Sequence, residues 1–362
     1  MPLHRALRRT ITRAAVIINV AAAVAMLVAG WSDRLYPPHF PVLANAGLLF
    51  PLFIVFNLLF LVAWTLAKSW RVLIPVAAFA ACLPPIRSYC PLNRPQEPPN
   101  KGVRIMSFNV ANFHYPGPHA DESPFPALTY IGESGVHIAC IQEAWMNKQK
   151  LDILRKYFHH VEAHRTPNLH ENLVMASQFP ILGSEGIETG GEMNGCVAFH
   201  LLAGTDTLTV INCHLLSYDL TMEERGHFSD IISGKTKGDS ARSKMAFLLR
   251  KTARATIERA PQADALVDYI TAHPNRLFVV CGDFNSCPNS YVLYRLRQVL
   301  TDCYVETGLG PGWSFNRFNI NVRLDHMLCS PSLRPFGCKV DRTVNHSDHY
   351  PISCWLKKRK KQ

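Results

Sequence analysis

The chain has 362 residues, 48% of them hydrophobic, with a formal net charge of +11; this length fits one large globular domain with a smaller appendage. The positive charge sits at the ends: nine Lys/Arg against two Asp/Glu up to residue 100, five consecutive basic residues from Lys357 to Lys361, and 24 against 25 between residues 101 and 356. A near-neutral middle removes the usual inference from a basic protein to a nucleic-acid partner, and no solenoid-period repeat is present.

From the N-terminus, Arg5, Arg8, Arg9 and Arg13 precede an apolar run from Ala14 to Trp31, and a second run extends from Val42 to Ala67. Both are long enough to cross a hydrocarbon layer of ~30 Å as helices. A third run, Val72 to Ile86, is shorter and holds Pro75, Pro84 and Pro85, which fits a tilted span, a re-entrant segment or an interfacial helix. A signal peptide shares the basic start, but no polar cleavage region follows and a second span does, so residues 1–86 read as a membrane anchor of two to three helices. The early arginines, with Lys68 and Arg71 after the second run, favour the cytoplasmic side. Three spans then place the remainder of the chain outside the cytoplasm of a bacterial-type inner membrane, with the lipid bilayer as its partner.

Residues 87–101 carry Pro91, Pro95, Pro98 and Pro99 and read as a stiff linker holding the following domain off the bilayer. Residues 102–356 form the main globular domain, and 357–362 a solvated basic tail. Nine of eleven cysteines lie beyond residue 100, several inside apolar runs (HIACIQE, GCVAF, VINCHL, FVVCGDF). Scattered singly, they resemble small buried hydrophobes more than a disulfide framework, and no CxxC spacing supports zinc. Free thiols suit a reducing setting, which pulls against the outside placement.

Within 102–356, strands are expected at Val103 to Val110, His137 to Gln142, Leu173 to Ser177, Cys196 to Leu201, Leu208 to Cys213, Leu277 to Cys281 and Asp325 to Cys329. Helices are expected at Lys148 to Tyr157, Ser240 to Arg259 and Asp264 to Ala272. This mixture predicts an α/β, four-layer sandwich in which two packed β-sheets are flanked by helices. Polar residues end the apolar runs: Asn109, Glu143, His214, Asp283 with Asn285, Asp325, then Asp348 and His349. At strand ends such side chains converge over a sheet edge, offering hard oxygen ligands for Mg²⁺ or Mn²⁺ and an imidazole beside a carboxylate.

The ordered series SFNV, IQE, INCHL, GDFN, RLDHM and SDHYP resembles the endonuclease/exonuclease/phosphatase superfamily from Val103 to about Trp355. The resemblance implies a metal held by Glu143 and Asn109 with Asp348 nearby, and an attacking water positioned and deprotonated by Asp283. It further implies that Asn285 bonds the water or the phosphoryl group, and that His349, oriented by Asp325, and His214 stabilise charge on phosphorus. Taken singly, Asp283 and Asn285 would read as a turn, Glu143 as a helix-start acid and His214 as a core histidine. Asn172 is a weaker candidate for a phosphate contact and Trp313 for a pocket wall; Asn212 is a further substrate-side candidate, better suited to bracing the loop.

The stretch from Ser217 to Pro261 holds nine basic residues and a partly amphipathic segment around Met245, Phe247, Leu248 and Leu249. It fits an ordinary helix with a solvated basic face or a lid facing phosphate or membrane. Three functions follow: a phosphodiesterase or phosphatase acting on a lipid headgroup or small phosphoester, a membrane-anchored nuclease acting on DNA or RNA, and a non-catalytic phosphate-binding signalling module. The anchor and the near-neutral middle favour the first. No protein partner is implied.

Overall fold

The computed structural model describes residues 2–114, 125–165, 172–190, 195–218, 224, 238–317 and 321–359. The apolar N-terminal run forms α1 (Pro2–Gly30), followed by α2 (Phe50–Leu66), α3 (Leu73–Ala81) and α4 (Leu83–Tyr89). Two stretches, Ala6–Gly30 and Leu43–Leu66, are long and apolar enough to cross a membrane. The third run is bent by 61° between Trp70–Ala81 and Leu83–Tyr89; Pro84 and Pro85 start the second piece, where a missing backbone N–H costs least. Polar groups inside the bundle are used between helices: Asn57 Nδ2 donates to Ala22 O and Trp64 Nε1 donates to Asn19 Oδ1.

The remaining elements are β1 (Val103–Asn109), α5 (Pro126–Glu133), β2 (Ile138–Ala144), α6 (Lys148–Arg155), β3 (His160–Arg165), β4 (Asn172–Ser177), β5 (Ile181–Ile187), β6 (Gly195–Ala203) and β7 (Asp206–His214). They continue with α7 (Gly238–Ala272), β8 (Leu277–Asp283), α8 (Tyr291–Arg297), β9 (Thr301–Asp302), α9 (Cys303–Thr307), β10 (Asp325–Cys329), β11 (Leu333–Val340) and β12 (Ile352–Lys358). One sheet has the order β11-β12-β1-β2-β4-β3, the other β5-β6-β7-β8-β10-β9. Alternating apolar residues from both, among them Ile105, Cys140, Met175, Phe199, Val210, Cys281, Met327 and Cys354, form the core between them. The outer faces are covered by α5 and α6 on the first sheet and by α7 and α8 on the second. This is the four-layer sandwich expected from the pattern of strands and helices.

Three features depart from the sequence reading. The two helices expected around Pro261 are one, α7, with the proline inside; Ala260 and Ala263 are fully buried there, and packing on the sheet outweighs the lost backbone bond. The first lysines of the basic tail, Lys357 and Lys358, complete β12, and Lys358 Nζ lies 2.7 Å from Asp206. Residues 360–362 of that tail lie outside the described residues, as do 219–223 and 225–237 of the stretch before α7.

The Pro-rich segment also does not hold the domain away. Leu92 bridges to Leu309, Asn93 Nδ2 donates to Val305 O and Gly308 O, and Gly310 N donates to Pro91 O. Nearby, the fully buried Arg323 donates to Ser88 O and Pro311 O and lies 4.2 Å over the Tyr304 ring. Gly47 is packed so closely that a Cβ there would fall 2.2 Å from Asn289 O. The helical bundle and the sandwich therefore share a packed seam.

Candidate active site

The sheets bring their polar strand ends to one edge. In the first sheet β1 and β2 run parallel, with Asn109 opposite Gln142. In the second, β7 and β8 run parallel with His214 opposite Asp283, and antiparallel β10 sets Asp325 opposite Asp283. Gly282 makes the β7–β8 approach possible: its φ is +149°, and a Cβ would lie 1.9 Å from Cys213 O. The backbone thereby delivers His214, Asp283 and Asp325 side by side.

Asn109 joins the two sheets. Its Nδ2 donates to Glu143 Oε1 at 2.9 Å and to Asp283 Oδ2 at 3.0 Å, while its Oδ1 accepts from Ala111 N. Asp283 is 1% exposed and its other oxygen accepts from Asn285 N at 2.8 Å. Asn285 holds a left-handed φ of 48°, which asparagine tolerates, and its Nδ2 donates to Leu215 O. Glu143 also has φ 48°, beside a register shift in β2. For a non-glycine residue this stores roughly 1–3 kcal/mol of strain, retained where the carboxylate turns toward the edge.

His349 is 6% exposed, with Nδ1 2.7 Å from Asp325 Oδ2 and Nε2 3.6 Å from Asp283 Oδ2. Burial works against its imidazolium, yet Asp325 and Asp283 outweigh it and hold the His349 pKa well above the ordinary range. Burial likewise lifts Asp325 to about 6, against the pull of His349. His214 Nε2 lies 3.5 Å from Glu143 Oε1 and 4.0 Å from Asp283 Oδ2. Glu143, His214 and Asp283 form one group of potential metal-ligating atoms within 4.8 Å of one another, and Asp283, Asp325 and His349 form a second. Asp348 joins neither; its Oδ1 lies 3.4 Å from Ser347 Oγ. Three carboxylates against two imidazoles, one already paired, make a donor set suited to a hard divalent cation.

The weaker candidates separate. Asn172 stands opposite Ala144, next in the chain to Glu143, on the same edge. Trp313 is stacked near Arg342, 5.3 Å from its guanidinium. Asn212 is fully buried; its Nδ2 donates to Ile141 O and Val174 O and its Oδ1 accepts from Gln142 Nε2, so it braces one sheet on the other.

Three residues not singled out in the sequence support the site. Ser347 Oγ donates to Asn109 O at 2.7 Å and accepts from His349 N. Ser314 Oγ accepts from Leu324 N and Asp325 N, and the Phe315 ring meets His349 edge-on at 5.2 Å. Ser347 lies within the quoted SDHYP motif, which was a usable signal; Ser314 and Phe315 had none beyond their nearness to Trp313.

Comparison with known proteins bears on the fold and the family. The family model described as Endonuclease/Exonuclease/phosphatase family matches residues 106–349, and one for a domain of unknown function (DUF8431) matches residues 9–89. No curated protein sequence matches the chain. Among solved structures, an endonuclease/exonuclease/phosphatase family protein from Bacteroides thetaiotaomicron is 14% identical with TM-score 0.50, covering 73% of this chain and 100% of that one. A Bacteroides vulgatus endonuclease/exonuclease/phosphatase is 16% identical with TM-score 0.50, covering 71% and 99%. The human Nocturnin catalytic domain is 16% identical with TM-score 0.51, covering 74% and 100%. At these identities the likeness speaks for the fold, and with the family match over residues 106–349 the chain belongs to the endonuclease/exonuclease/phosphatase family of phosphoester hydrolases.

Proposed function

We infer that this protein is a membrane-anchored, divalent-metal-dependent phosphoesterase whose substrate is a lipid headgroup or small phosphodiester. The observation that carries the lipid preference is the seam: the loop after Asp283 and Asn285 packs directly on the segment joining α1 and α2. The near-neutral charge of residues 101–356 points the same way, since a duplex-binding surface ordinarily needs a basic groove. The basic residues around α1 and after α2 favour the cytoplasmic side, and a third crossing by the bent α3–α4 pair puts the sandwich on the other side.

In this reading Asp283, held by Asn109 Nδ2 and Asn285 N, positions the attacking water and takes its proton. His349, its Nδ1 side fixed by Asp325, presents Nε2–H to a non-bridging phosphate oxygen; the neighbouring carboxylates favour its cationic form. His214 gives a second imidazole, 4.0 Å from the same Asp283 oxygen, and Asn285 orients the phosphoryl group. Glu143 and Asn109, with Asp348, would hold Mg²⁺ or Mn²⁺, which supplies Lewis-acid charge to the phosphoryl oxygen. Asn109 contributes chiefly by organising carboxylates, because its NH₂ is spent on Glu143 and Asp283.

The test is hydrolysis by the full chain in bilayer nanodiscs, with Mg²⁺, Mn²⁺ or chelator, against phospholipids, sphingomyelin, small phosphodiesters, plasmid DNA and RNA. Metal-dependent turnover confined to lipid or small phosphoesters is expected. Cleavage of DNA or RNA would overturn the lipid preference, and turnover unaffected by chelation would overturn the metal requirement.

A further inference from the structure

The seam reaches the candidate site through a small apolar cluster. Cys287, Phe315, Val322 and Leu324 are buried together, and Leu48, near the start of the Leu43–Leu66 stretch, packs against them. Three of the four lie beside a site residue. Leu324 precedes Asp325, and its carbonyl accepts from the N–H of Phe284, the residue after Asp283. Cys287 follows Asn285 by two positions. The Phe315 ring meets the His349 imidazole edge-on at 5.2 Å, and the two residues also form a backbone bridge. Val322 ties the cluster together, since its carbonyl accepts from both Ser314 N and Phe315 N.

The segment from Ser314 to Asn316 frames both members of the Asp325–His349 pair. Ser314 Oγ accepts from Asp325 N at 2.9 Å, Ser314 O accepts from Tyr350 N at 2.6 Å, and Asn316 N donates to Asp348 O. These bonds fix the backbone on either side of His349, but a ring held by one hydrogen bond at Nδ1 can still pivot about it. The edge-on contact with Phe315 limits that pivot. Phe315 in turn belongs to a cluster that the sandwich does not complete alone: among the described residues, the partly buried hydrophobic side chain packed against it is Leu48, from the N-terminal part of the chain. Leu48 is itself held in place, because the preceding Gly47 sits so close to the loop after Asn285 that a Cβ would fall 2.2 Å from Asn289 O.

We propose that Leu48 is a positioning residue for the reaction: it keeps Phe315 against His349, so the N-terminal helices fix the orientation of the imidazole that meets the phosphate. This rests on the role given to His349 above and deepens it, by making the anchor part of the frame of the site and not only its tether. Each dispersion contact is weak, yet a catalytic side chain must be held to within about 0.5 Å and 10–20° of its productive pose. Removing an apolar group from the cluster leaves a void into which the neighbouring ring can turn. Leu48 acts through Phe315 and not on the substrate, so its loss falls on kcat more than on KM.

The experiment uses the full chain in nanodiscs with its histidine rings isotopically labelled, the His349 signal being assigned by its loss in His349→Gln. With chelator present and at one fixed pH, Leu48→Ala is expected to shift or broaden that signal. Leu49→Ala, at a neighbouring position that is 48% exposed, leaves it in place. In turnover of the phosphoesters named above, Leu48→Ala is expected to lower kcat about tenfold with KM within about twofold of wild type. Leu48→Met, of similar volume, stays within about twofold in both. Phe315→Leu shows a loss like that of Leu48→Ala, and combining the two adds no further loss. A wild-type kcat in Leu48→Ala, an unmoved His349 signal, or a double variant whose loss is the product of the single losses each overturns the proposal. If the wild type hydrolyses none of the phosphoesters, the functional reading fails and the His349 signal alone decides whether Leu48 positions the ring. Should Leu48→Ala not fold, Leu48→Val must move the signal for the proposal to stand.

Discussion

The edge holding the candidate site and the seam with the N-terminal helices both bury polar side chains, but they treat them differently. At the edge, Asn109, Asp283, Asn285, Asp325 and His349 hold one another through short hydrogen bonds, and strain at Glu143 is kept in place. At the seam one arginine, Arg323, spends two nitrogens on backbone carbonyls and leaves Nε without a partner, while another, Arg259, has two nitrogens without partners, as has the buried amide of Asn289. The edge network fixes geometry while leaving one buried oxygen, Asp325 Oδ1, without a partner; the seam leaves more of its polar atoms unmatched.

The largest effect that can break this contrast is at the edge. Asp283→Ala should lower kcat by at least about 10³-fold with the fold intact by circular dichroism, because the water loses its base. Retained activity would remove Asp283 from the chemistry. Next, Asp325→Asn should cost about 10²-fold or more in kcat with little change in KM, and the His349 pKa should fall, readable by NMR titration of its imidazole. An unchanged pKa would mean that the 2.7 Å contact does not set its charge.

The seam predictions concern stability. Arg323→Met should destabilise the chain by about 3 kcal/mol, since two charge-assisted hydrogen bonds are lost and Ser88 O and Pro311 O are stranded. Arg259→Met should be close to neutral or stabilising, because it removes a buried charge without a carboxylate partner among the described residues. Denaturation of the pair side by side sharpens the comparison; equal losses would erase the distinction between them. Gly47→Ala forces a methyl onto Asn289 O and should cost roughly 1–3 kcal/mol, read as a lower Tm and easier proteolysis between anchor and sandwich.

Much of the sandwich was legible in the sequence because its central strands are apolar runs stopped by a functional polar residue, as in IQE and GDFN. Edge strands were not: β5 reads ILGSEGI, with little apolar alternation, and β11 contains Pro335. β12 runs from an apolar start into the lysines of the tail, so its end looked like solvent-exposed chain. At the candidate site, residues offering a charged or amide group stood out, whereas Ser347 and Ser314 act through bonds to distant backbone that no local pattern encodes. The seam was hidden for the same reason. Prolines announce an extended chain, but the contacts of Leu92 and Asn93 are with residues more than 200 positions away.

The absence of slack between α4 and the sandwich has a kinetic consequence. A domain clamped at Leu92, Asn93 and Arg323 cannot tumble independently; in a bilayer it turns about the membrane normal with its helices and keeps one face at a fixed height. For the lipid substrate proposed above, collisions would then occur by lateral diffusion in two dimensions. The quantity governing saturation would be mole fraction in the leaflet, and diluting the surface with inert lipid would slow the reaction even at unchanged bulk concentration.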